Sequence, residues 1–173
     1  MRFCQFFRIH PTPWHRYQLH IKIHDIIHIM NNNKLLISIL IKQHRKLQSD
    51  LSDILQVAKS SDIDKSNIIL KKTRAFTVDI TEHLTLEDNT FYPAYFKLKE
   101  SINGSTDYAK QLMNEMTNIK EVILDFIKKY SDNEQIMRSI QTYITELESI
   151  IQTLNTRIEI EEESIYNLFL TLE

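Results

Sequence analysis

Residues 34–58 read KLLISILIKQHRKLQSDLSDILQVA, and within them Leu36, Leu40, His44, Leu47, Leu51, Leu55 and Ala58 recur in steps of three and four. That is the period of a buried helical face. Three further stretches keep it. The second runs Ile69, Thr73, Phe76, Ile80, His83, Glu87, Phe91, Ala94 and Leu98; the third Tyr108, Leu112, Met116, Ile119, Ile123, Phe126 and Tyr130. The fourth runs Ile136, Ile140, Tyr143, Leu147, Ile150, Leu154, Arg157, Glu161, Ile165 and Leu168. Short links separate them, from Ser60 to Ser66, near Glu100 to Ser105, and from Ser131 to Asn133. Ser131 with Glu134 has the form of a capping box opening the last helix. Four long helices with short links predict an all-α, up-down-up-down four-helix bundle over residues 30–173.

Composition supports the same reading. The chain has 173 residues, the length of one domain, and a single glycine, Gly104. Glycine-rich phosphate loops and dinucleotide fingerprints need several such residues close together, so those nucleotide-binding classes are excluded. With 21 Lys+Arg against 23 Asp+Glu there is no general cationic surface for nucleic acid. Cys4 is the lone cysteine, which excludes an internal disulfide and a Cys-rich zinc site. The apolar run Leu35 to Ile41, broken by Ser38, is far short of the ~18 residues of a membrane helix. The expectation is a cytoplasmic protein that neither enters a membrane nor binds nucleic acid.

Residues 1–29 form a different text. Arg2, Arg8, Arg16 and Lys22 stand against Asp25 there, while the rest of the chain is acidic. His10, His15, His20, His24 and His28 also fall in this stretch. His20, His24 and His28 would share one helical face and could hold a transition metal. The plainer reading is a poorly packed His-rich extension. Met30, followed by Asn31, Asn32 and Asn33, looks like a natural beginning, with the Asn run capping the next helix.

The bundle's stripes carry ionisable residues where apolar ones are expected: His44, His83, Glu87, Arg157 and Glu161. An unpartnered charge in a core costs several kcal/mol, so these groups must meet one another or a metal. Their depths agree. His44 lies about ten residues into its helix, Glu87 about twelve from the end of the second, Met116 about ten into the third and Glu161 about eleven from the end of the last, which at 1.5 Å per residue puts all four ~15–18 Å from one end. Measured from the opposite end Met116 and Arg157 disagree, so the last link is longer or the last helix offset. Singly, an inward histidine is commonly a hydrogen-bonded core residue, Met116 a gap filler and Arg157 with Glu161 an ion pair. Two imidazoles and a carboxylate in one layer favour a metal.

His83-Leu-Thr-Leu-Glu87-Asp88-Asn-Thr-Phe-Tyr92-Pro93 resembles the second-helix motif of hemerythrin-like (HHE cation-binding) domains. Leu-Ile-Lys-Gln-His44-Arg-Lys-Leu is similar to their first ligand segment, and Leu154-Asn-Thr-Arg157-Ile-Glu-Ile-Glu161-Glu162-Glu163-Ser-Ile-Tyr166 to the fourth. The resemblance covers Lys34 to Glu173 and implies a bundle holding two non-haem irons, bridged by carboxylates, that binds or senses dioxygen or iron. It puts His44, His83 and Glu87 on ligand positions and Glu161 or Glu162 on the second bridging carboxylate. It also puts Met116 and Arg157 where that family has histidines. Two imidazoles and two carboxylates suit one iron, manganese or zinc ion. Arg157 cannot ligate, and its guanidinium can neutralise carboxylates in place of a second ion. The expectation is one non-haem iron, or none, in a sensing or regulatory protein rather than an oxygen carrier.

The competing reading is a metal-free interaction module. The fourth helix also resembles, more faintly, the closing helix of bacterial regulators that bind the principal sigma factor, which implies a protein partner. Catalysis has little support. No Glu-x-x-His tetrapeptide and no His-Glu-x-x-His motif occurs, and no Ser sits in a glycine-flanked elbow. The expectation is not an enzyme.

Overall fold

The computed structural model describes residues 23–60 and 64–171, with side chains from residue 32 onward. Helices dominate them: α1 (Ile23–Lys59), α2 (Lys65–Leu86), α3 (Tyr92–Ser101), α4 (Asp107–Lys129), α5 (Asn133–Arg138), α6 (Ile140–Ile160) and α7 (Asn167–Thr171). Two π-helical segments, Glu87–Phe91 and Glu161–Tyr166, join α2 to α3 and α6 to α7 without a break. The result is four rods, an all-α bundle as the periodicity predicts.

Cross-rod pairs set the directions. From α1 to α2, Gln43 meets His83, Lys46 meets Asp79 and Asp53 meets Lys72. From α1 to the last rod, His44 meets Glu162, Gln48 meets Asn155 and Lys59 meets Glu148. One number rises as its partner falls, so α1 lies antiparallel to both neighbours.

Two local expectations change. α1 runs through Asn31, Asn32 and Asn33, so the Asn run lies inside the helix and not at its start. Residues 1–22, and with them His10, His15 and His20, lie outside the described residues, as do the side chains of His24 and His28. At the last link the cap is Asp132, whose carboxylate accepts from the Gln135 amide at 2.8 Å, and Ser131 is not the cap. The helix it opens, α5, ends at Ser139, and Asn133 of α5 bonds to Asn67 of α2. Folding α5 toward α2 absorbs the surplus chain that separates Arg157 from the level of Met116. The α3–α4 link is a Schellman turn: Asn103 takes φ 52° while the Gly104 and Asn103 amides bond to the carbonyls of Lys99 and Glu100. Asparagine tolerates that left-handed conformation through its short polar side chain.

The π segments shift the core face. In α1 the buried set is Ile37, Leu40, His44, Leu47, Leu51, Ile54 and Ala58, alternating three and four. Through the first π segment one buried row is His83, Glu87, Phe91 and Tyr95, and through the second Arg157, Glu161, Ile165 and Phe169, each in steps of four, with Leu84, Tyr92, Ile158 and Tyr166 buried beside them. A wider turn accommodates one extra residue, so the face beyond each segment moves on by one. Tyr95 and Phe169 are therefore buried where a continuing α-helix would bury Ala94 and Leu168.

The core falls into two apolar clusters. One gathers Leu47, Leu51, Phe76, Ile80, Phe126, Tyr143, Leu147 and Leu154 among others. The other gathers Leu40, Phe91, Tyr92, Tyr95, Leu112, Tyr166 and Phe169. The ionisable layer lies at their junction. If each π turn takes up one extra residue, deleting exposed Asn89 closes the turn to α-helix with Tyr92 and Tyr95 still on the core face, whereas deleting exposed Ser49 from regular α1 turns Leu51 and Ile54 out of the core. Urea unfolding is expected to show a loss of about 3 kcal/mol or more for the Ser49 deletion and clearly less for the Asn89 deletion.

Candidate metal centre

His44 on α1, His83 on α2, Glu87 opening the first π segment, Arg157 on α6 and Glu161 opening the second are each 4% exposed or less. One ligand-capable atom from each of His44, His83, Glu87 and Glu161 lies within 4.8 Å of the other three. The two imidazoles meet edge to face, centroids 4.6 Å apart, and His44 stacks on Tyr166.

Each imidazole has one nitrogen tied to the frame and one turned to the cluster. Nδ1 of His44 lies 2.8 Å from Glu162 Oε1, and a carboxylate there requires Nδ1 to donate. Glu162 is held in turn by Arg45 at 2.5 Å. The other nitrogen, Nε2, is buried with no hydrogen-bond partner, 3.4 Å from Glu161 Oε2. Nδ1 of His83 faces Gln43 Oε1 at 3.2 Å, and its Nε2 lies 3.6 Å from Glu87 Oε2. Burial, then the charges of His44 and Arg157, lowers the His83 pKa to about 3, so this ring is neutral with a lone pair to give.

The carboxylates divide in the same way. Glu87 Oε1 accepts from the Tyr166 hydroxyl at 2.6 Å, leaving Oε2 beside His83. Glu161 Oε1 takes Arg157 Nη2 at 2.5 Å and lies 3.4 Å from the Tyr92 hydroxyl, leaving Oε2 beside His44. Tyr92 also accepts from Arg157 Nη2 at 3.0 Å. Burial first, and then Glu161, raises the Glu87 pKa well above the ordinary carboxylate value, with Tyr166 and Arg157 opposing. Without a cation the group keeps its proton.

Four inward atoms therefore converge: two imidazole nitrogens and two carboxylate oxygens, each on a side chain anchored by its other end. Such anchoring is how proteins orient metal-ligating histidines and carboxylates. An orphaned lone pair at His44 Nε2 inside this donor set fits one transition-metal ion. The outer oxygen of Glu161, Oε1, is taken by Arg157. Met116, on α4, contributes no atom to the four; it lines a cleft of about 100 Å³ with Glu87, Tyr92 and Lys120. Glu162 stands outside the four as the partner of His44 Nδ1.

Sequence reasoning assigned no part to Tyr92, Tyr166 or Gln43. The signal for the tyrosines is a repeat. His83, Glu87, Phe91, Tyr92 and Tyr95 are matched by Arg157, Glu161, Ile165, Tyr166 and Phe169 at identical spacings. A glutamate and a tyrosine five positions on share a face only across a π turn, so α-helical periodicity conceals the pairing. Each tyrosine reaches the carboxylate of the other repeat.

Comparison with known proteins gives three findings. The hemerythrin HHE cation binding domain family matches residues 35–169. Over 131 residues the chain is 29% identical to reticulocyte-binding protein homolog 1 of Plasmodium falciparum (isolate 3D7), covering 75% of this chain. It spans only 4% of the length of that relative. No solved structure matches the chain significantly.

The shifts of His83 and Glu87 set a pH dependence for the metal-free protein. Unfolded, the histidine takes a proton below about 6.5 that the folded ring refuses until about 3. The unfolded glutamate ionises above about 4.5 while the folded one keeps its proton. Between those values the two proton differences cancel. Stability of chelator-treated protein is expected to be flat from about pH 4.5 to 6.5 and to fall on both sides, by up to about 1.4 kcal/mol per pH unit. Urea midpoints at pH 3.5, 5.5 and 8 measure it. A midpoint that climbs from pH 5.5 to 8 is incompatible with a protonated Glu87.

Proposed function

The chain belongs to the hemerythrin HHE cation binding domain family, and on that premise we propose that it holds a single non-haem iron ion through His44 Nε2, His83 Nε2, Glu87 and Glu161. The observation that carries this reading is the buried His44 Nε2, left without a partner at the point where three other donors converge. Arg157 takes the place of a second ion, supplying fixed positive charge to Glu161 where a diiron centre would need another histidine. When bound, iron supplies one-electron chemistry and affinity for small ligands. The protein's own part is to hold Glu161 against Arg157, to aim both Nε2 atoms inward, and to close the layer from water with Tyr92 and Tyr166.

A site with one ion and a fixed guanidinium suits sensing or regulation better than reversible oxygen carriage by two irons. No nucleophile or hydrolytic motif accompanies it, so the reading is of a non-enzymatic cytoplasmic protein whose occupancy or redox state a partner reads. The buried network of Glu87, Glu161, Arg157, Tyr92 and Tyr166 also favours a second reading, a metal-free interaction module in which these polar contacts fix helix register.

Elemental analysis of untagged protein lacking residues 1–22 is expected to return about one metal per chain, iron before zinc or manganese. Chelation is expected to lower the melting temperature by several degrees, since a ligand bound only to the folded state stabilises by RT ln(1 + [L]/Kd). His83→Ala should lose both the metal and the chelator response. Protein with no metal and no chelator response sinks this reading and leaves the interaction module; two irons per chain contradict the single-ion site. The double variant Met116→His with Arg157→His is expected to raise the content toward two.

A further inference from the structure

Tyr166 touches two of the four donor residues at once. Its hydroxyl donates to Glu87 Oε1 at 2.6 Å, and its ring stacks on His44 with centroids 5.6 Å apart and planes 8° from parallel. The side chain is 1% exposed, and Phe91 packs edge-on against it at 4.9 Å. A phenol gives up an electron readily only if its proton leaves in the same event, so the acceptor beside the hydroxyl decides whether it can. Once a cation takes up the four donors, that acceptor is a carboxylate, at the separation of a charge-assisted O–H···O bond.

Tyr92 stands in the matching place of the other repeat and is built the opposite way. Its oxygen accepts from Arg157 Nη2 at 3.0 Å and lies 3.4 Å from Glu161 Oε1, which the same guanidinium holds. A permanent cation on the phenol oxygen holds its electrons back, and the longer contact is a poor line for handing over a proton. Beside Glu87, on the α4 side, lies the cleft of about 100 Å³ lined by Met113, Met116 and Lys120 among others. A water takes about 30 Å³ of liquid, so this space suits a molecule of the size of hydrogen peroxide and not a larger organic substrate.

We propose that Tyr166 is redox-active: with ferrous iron on the cluster, hydrogen peroxide draws one electron from it and leaves a buried tyrosyl radical. The inference rests on the single-ion reading above and gives that site a signal to sense. The peroxide O–O bond breaks on taking two electrons, one from the ferrous ion and one from Tyr166. Two protons accompany them, the Tyr166 hydroxyl proton by way of Glu87 Oε1 and one from solvent. The products are two waters, a ferric ion and the neutral radical. One peroxide is consumed per chain, so the event marks the protein and is not turnover.

EPR of the full chain, loaded with ferrous iron and frozen within seconds of peroxide addition, tests it, with iron measured on the same sample. A narrow tyrosyl signal is expected, absent from chelator-treated protein and lost in Tyr166→Phe. Because that change also removes a bond to Glu87, a second measurement labels Tyr166 itself as difluorotyrosine, which keeps the hydroxyl. Fluorine splitting is expected in the signal, whereas the same label at Tyr92 should leave the signal unsplit. Iron-loaded protein without a radical overturns this inference alone. So does a signal without fluorine splitting from the label at Tyr166, an equal signal from chelator-treated protein, or an iron-holding Tyr166→Phe that keeps the signal. Protein that holds no iron overturns it together with the single-ion reading.

Discussion

The constraint on which this molecule turns is the carboxylate of Glu161. It is buried between a guanidinium on one oxygen and an imidazole on the other. A carboxylate so placed is tolerable only if Arg157, Tyr92 and His44 stay where they are, and those residues come from α6, α3 and α1. Three of the four rods are thus tied through one side chain. The two apolar clusters can pack above and below because this layer is internally paired.

The asymmetry of the layer follows from which residues occupy equivalent places. Glu87 has a neutral histidine four residues before it; Glu161 has a permanent cation. The first carboxylate is pushed toward its protonated form by burial, while the second is paired with a guanidinium. This difference is what the proposed single-ion site rests on.

Much of this was legible in the chain. Steps of three and four gave the helices, and His44, His83, Glu87, Arg157 and Glu161 stood out because ionisable groups interrupted apolar stripes. Their convergence was readable from counting residues at a common rise. The π turns were not. In the sequence stripe of the first helix, Leu36–Leu40–His44 and Leu47–Leu51–Leu55 show the same successive fours as His83–Glu87–Phe91. Only packing reveals that α1 buries Ile37 and Ile54 instead, while the other rods shift to Tyr95 and Phe169. The sequence left Glu161 and Glu162 as alternatives for a related reason. Adjacent residues on a helix point about 100° apart, so once Glu161 faces inward Glu162 reaches only the outer edge of His44.

The matched residues of the second and fourth rods have a mechanical consequence. The chain is in effect two hairpins, α1 with the α2–α3 rod and α4 with the α5–α7 rod, and the inward donors are shared unevenly between them. Three belong to the leading hairpin and one to the trailing hairpin. A cation seated among them would act as a rivet across the seam, anchored firmly on one side and by a single oxygen on the other. Release would then begin with that lone fastening, and the seam would gape on the side of the trailing hairpin first.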